Sequence, residues 1–116
     1  MKPLVLFMPL LVLVESVSPD AHGRAAARIH LARGEIRYLV YGLEGQWYWH
    51  RLRVLAWQEL RVEVEWVPGC GRTPEQAAWT VGYNQVMVAE IDRRFGHGAL
   101  KKLEARAIEA MARGTD

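Results

Sequence analysis

A chain of 116 residues with 15 Lys/Arg against 13 Asp/Glu and a formal net charge of +2 has room for one domain and no dominant charge. Its arginines, among them Arg28, Arg37, Arg53, Arg72 and Arg94, are scattered among carboxylates instead of gathered in one run, which argues against a nucleic-acid binder. A single cysteine excludes an internal disulfide, so five Trp and four Tyr must supply much of the core of a small domain.

The N-terminus has the three parts of an export signal: Lys2, the apolar run Leu4–Val14, and small residues at Ala21-x-Gly23. A membrane-crossing helix needs about twenty apolar residues to cover roughly 30 Å of hydrocarbon, and Glu15, Ser16, Ser18 and Asp20 stop this run well short. No stable membrane span is therefore expected. The competing reading makes Leu4–Val14 a buried strand of a cytoplasmic domain, but Pro3 and Pro9 cannot donate to a sheet ladder. The pattern predicts a signal peptide over 1–23 and a single domain over 24–116, exported to the periplasm or secreted.

From Arg28 to Tyr41 the apolar residues Ile29, Leu31, Ile36, Tyr38 and Val40 recur with the period of a strand. Ala32-Arg33-Gly34-Glu35 fits a hairpin turn, so this segment gives one bent strand or two. Helical spacing follows from Leu43 to about Leu60, with Tyr48, Leu52, Leu55 and Ala56 on one side. Arg61–Val67 then alternates Val62, Val64 and Trp66 against Arg61, Glu63 and Glu65, as a half-buried strand does, and the Glu pair reads as its solvated face.

Pro68-Gly69-Cys70-Gly71 breaks the strand, and Thr73-Pro74-Glu75-Gln76 starts a helix. Thr73 caps it, Pro74 suits a first turn that needs no N–H, and Gln76 completes a capping box. This helix runs to about Arg94 with a core stripe of Ala77, Val81, Asn84, Val88, Ile91 and Phe95. Asn84, the polar member of that stripe, needs a hydrogen-bonding partner such as a backbone group. After Gly96-His97-Gly98 a last helix, Ala99–Ala112, presents Leu100, Leu103, Ala107 and Met111. The expectation is a small two-layer α+β domain of two or three strands and three helices, in the order ββαβαα or βαβαα.

Both longer helices carry more apolar surface than one core face requires. Trp47, His50, Val54 and Trp57 form a second stripe on the first, and Trp79, Gly82, Tyr83 and Val86 form one on the second, where Gly82 costs helix stability and admits a close neighbour. These stripes are either covered within the monomer or form a contact surface, and Trp and Tyr dominate such surfaces. A homodimer or another protein partner is the expectation.

Cys70 lies between two glycines just ahead of a helix N-terminus, where oriented N–H groups lower a thiol's pKa. A small enzyme using Cys70, with His50 or His97 as base, is the competing reading. His30, His50 and His97 are isolated, without His-x₃-His or Cys-x₂-Cys spacing, so no metal and no other cofactor is expected.

Overall fold

The computed structural model describes residues 18–42, 48–68 and 72–114. They form α1 (Pro19–Ala32), β1 (Arg37–Gly42), α2 (Tyr48–Leu60), β2 (Glu63–Pro68), α3 (Pro74–Phe95) and α4 (Ala99–Ala112). The result is a small α+β domain of four helices and one two-stranded parallel sheet.

Neither expected order describes it, because a helix stands where the sequence pattern suggested a strand from Arg28. Ala25-Ala26-Ala27 has the highest helix propensity available, Pro19 sits in the first turn, and Asp20 complements the helix dipole there. The supposed hairpin turn is this helix's end. Glu35 N–H donates to the His30 carbonyl at 2.9 Å and Gly34 N–H to the Leu31 carbonyl at 2.9 Å, with Gly34 at φ +78°. That is a Schellman motif, whose left-handed position favours glycine.

β1 and β2 are joined through α2 and pair in parallel, Arg37 opposite Glu63 and Leu39 opposite Glu65. On one sheet face Val40 and Val64 are buried and Trp66 stacks on Trp49 of α2 at 6.2 Å. α2 turns Leu52, Leu55 and Ala56 inward as its periodicity predicted, and α4 packs beside it through Leu100, Leu103 and Ala107. Ala110 is buried in α4 where Met111 was expected; Met111 is exposed.

α3 begins with the expected capping box: Gln76 N–H donates to Thr73 Oγ1 at 3.1 Å and Thr73 N–H to Gln76 Oε1 at 2.9 Å. Its buried face differs from the expected one. Thr80, Gly82, Tyr83, Met87 and Ile91 face inward, whereas Val81 and Phe95 face solvent. The cause is α1, which lies along α3 and shifts the centre of burial toward the Gly82–Tyr83 side. Asn84 finds a backbone partner: its Oδ1 accepts Leu39 N–H at 3.0 Å and its Nδ2 donates to the Leu39 carbonyl at 2.8 Å.

Candidate functional site

Among the described residues, two concavities and one part-buried polar pair bring chemically active side chains together. The larger concavity, about 460 Å³, is a groove between the outer side of α2 and the start of β2, lined by Arg53, Val54, Trp57, Gln58, Glu63 and Val64. Its apolar rim faces solvent, for Trp57 is 52% exposed and Val54 44%. The Arg61 guanidinium lies 5.3 Å from the centre of the Trp57 ring. Arg61 itself has φ +56°, the left-handed region that residues with a Cβ seldom adopt, so the α2–β2 link aims this side chain at some conformational cost.

Helix geometry brings His50, Val54 and Trp57 onto one exposed side of α2, with the His50 ring stacked on Trp49 at 4.0 Å. Trp47, the fourth residue of that stripe, lies outside the described residues, as does Cys70. The stripe on α3 has a different setting. Trp79 and Val86 are half-buried, Gly82 is buried, and Tyr83 is 1% exposed, all close to α1 or the sheet. Trp79 stacks on Tyr83 at 5.2 Å.

The smaller cavity, about 240 Å³, opens where α3, the Gly96–Gly98 turn and α4 diverge. Tyr38, Asp92, His97, Lys101 and Glu104 surround an apolar floor that includes Leu52 and Val88. Burial pushes the Tyr38 hydroxyl above its usual range, and the Glu104 carboxylate adds to the rise. Asp92 is already committed to the turn. Its Oδ1 accepts Gly98 N–H at 3.1 Å, its carbonyl accepts Gly96 N–H at 2.9 Å, and His97 Nδ1 lies 3.5 Å from Oδ2. The His97 side chain is fully exposed, and the cavity it borders takes Leu52 from α2 and not His50. The two histidines considered as bases thus sit on separate surfaces.

The pair is half-buried His30 and buried Tyr83, with His30 Nδ1 2.6 Å from the Tyr83 hydroxyl. Burial raises the phenol to about 12, opposed by Arg37 and reinforced by Glu65, Glu35 and Glu63. Those four charges form a network on the neighbouring sheet face: Arg37 reaches Glu35 at 2.8 Å, Glu65 at 3.5 Å and Glu63 at 3.9 Å. Strand alternation alone marked Glu63 and Glu65 as solvated, and their shared arginine becomes visible only once β1 lies beside β2.

Among the described residues no group of three or more His, Cys, Asp or Glu is placed to hold a metal ion. No helix among them is long and apolar enough to cross a membrane. No family model, curated protein or solved structure matches the chain.

Proposed function

We propose that the chain is an exported interaction domain that pairs with a second copy of itself through the outer face of α2. The observation that carries this reading is Trp57, a large aromatic side chain 52% exposed on the rim of a groove that Val54 extends. Exposed apolar patches beside grooves mark protein contacts, and Trp is the residue most enriched where such contacts are strong. A guanidinium over an exposed ring stabilises by about 0.5–1 kcal/mol, so Arg61 holds the Trp57 indole in place before a partner arrives. The groove also carries both signs of charge, Arg53 and Glu63, so a two-fold copy of the same surface can set Arg53 against the partner's Glu63. The export half of the reading rests on Lys2 and the apolar run Leu4–Val14.

Analytical ultracentrifugation tests the pairing. The wild type is expected to sediment as a dimer at micromolar concentration, and Trp57→Ala to raise the dimer dissociation constant at least tenfold with little change in monomer stability, since its ring is largely outside the core. A wild type that stays monomeric at high micromolar concentration overturns the reading.

A further inference from the structure

α1 and α3 meet at two glycines whose missing side chains face the other helix's backbone. A Cβ on Gly23 would come 2.0 Å from the Trp79 carbonyl oxygen and 2.9 Å from the Tyr83 nitrogen; one on Gly82 would come 2.0 Å from the Asp20 carbonyl oxygen. These separations are far inside van der Waals contact, so only hydrogen fits at either position. Polar contacts tie the same segment down: Arg24 Nη1 reaches Asp20 Oδ2 at 3.0 Å and Gln85 Oε1 at 3.4 Å. One turn on, Ala27 is wholly buried, and beyond it His30 meets Tyr83.

We infer that Pro19–Gly23 is a permanent part of the folded domain, so that any export cut falls at or before Ser18 and not after Gly23. The Ala21-x-Gly23 pair satisfies the small-residue pattern of a cleavage site, yet small residues at that spacing also let two helices approach. The two uses compete for the same residues. A cut after Gly23 would remove the first turn of α1 together with both backbone seats, Asp20 against Gly82 and Gly23 against Trp79. Uncovered Gly82 and Trp79 would then face water along the middle of α3. The inference is independent of the α2 contact face, and it bears on the export reading only by moving the boundary.

The N-terminus of the protein recovered from cells that naturally make it, read by intact mass and N-terminal sequencing, tests it directly. A first residue anywhere from Met1 to Pro19 supports the inference, and a start at Met1 would separately remove the export reading; a start at Asp20 or beyond overturns the inference. Gly82→Ala in the full chain gives a second test whose sign is diagnostic. Helix propensity alone would raise Tm on replacing a mid-helix glycine by alanine, whereas the crossing predicts a fall of at least roughly 5 °C or loss of the cooperative transition. Val81→Ala, at the exposed neighbouring position, is the control and should leave Tm nearly unchanged. A Gly82→Ala protein as stable as the wild type overturns the inference.

Discussion

The Asn84 carboxamide does for β1 what a further strand would do. β1 has β2 on one side, and on the other the Leu39 N–H and carbonyl are both taken by this one side chain. Leaving a buried backbone group unpaired costs about 1–3 kcal/mol. Asn84→Leu is therefore expected to lose about 2–6 kcal/mol in urea unfolding, counting both groups. Asn84→Asp keeps an acceptor for Leu39 N–H but sets a carboxylate against the Leu39 carbonyl. It should be strongly destabilised at neutral pH and partly recover as the carboxyl is protonated and regains a donor.

Tyr83 makes a second prediction at this scale. Burial raises its phenol to about 12, while an unfolded tyrosine ionises near 10. The folded state thus holds the proton more tightly, and the associated stabilisation is complete below pH 10 and lost between about pH 10 and 12. Urea melts across that range should show stability falling with pH. Tyr83→Phe should flatten the fall without abolishing it, because burial also raises Tyr38 and Tyr48. A variant with an unaltered slope would place the alkaline sensitivity elsewhere.

At the scale of elements, α3 starts where its sequence signals it, through the reciprocal Thr73–Gln76 bonds. Thr73→Ala should cost about 1 kcal/mol in thermal or urea unfolding, and Thr73→Ser close to nothing, since serine caps equally well. The inward face of α2, that of α4 except its last member, where Ala110 and not Met111 is buried, the strand at β2 and the start of α3 were legible, because each rests on local periodicity or a local cap. α1 was not. Its Ala21–Gly23 stretch resembles a cleavage site, and Ile29 and Leu31 alternate like a strand, although Ile29 is exposed on the finished helix. Propensity at Ala25–Ala27 carried the missing signal, and Gly82 announced a close neighbour without saying which. The cavity between α3 and α4 was illegible for another reason. Tyr38, Asp92, His97 and Glu104 come from β1, α3, a turn and α4, and no sequence spacing encodes that convergence.

Across the whole molecule, two aromatic stripes that look equivalent in sequence occupy different positions. The one on α3 lies along α1 and contributes Tyr83 to the core, while the described part of the one on α2 remains at the surface. The proposed contact surface is therefore drawn on α2, the β2 margin and the arginine held over Trp57, and not on α3. The α2–α4 layer is assembled around the parallel sheet and the α1–α3 layer beside it. Substitutions on the outer face of α2 accordingly test the proposed pairing with little disturbance of the core.

The pairing of α1 with α3 also sets an order of events during synthesis. Residues 19–32 emerge early, but the helix they dock on is complete only at Phe95. Contacts between segments so far apart form late, after the intervening chain has been organised. The nascent chain thus carries α1 without its packing partner α3 until most of the protein has been made. Pro19–Gly23 remains accessible to whatever handles a growing polypeptide, and it is withdrawn when Gly82 becomes available to receive Asp20.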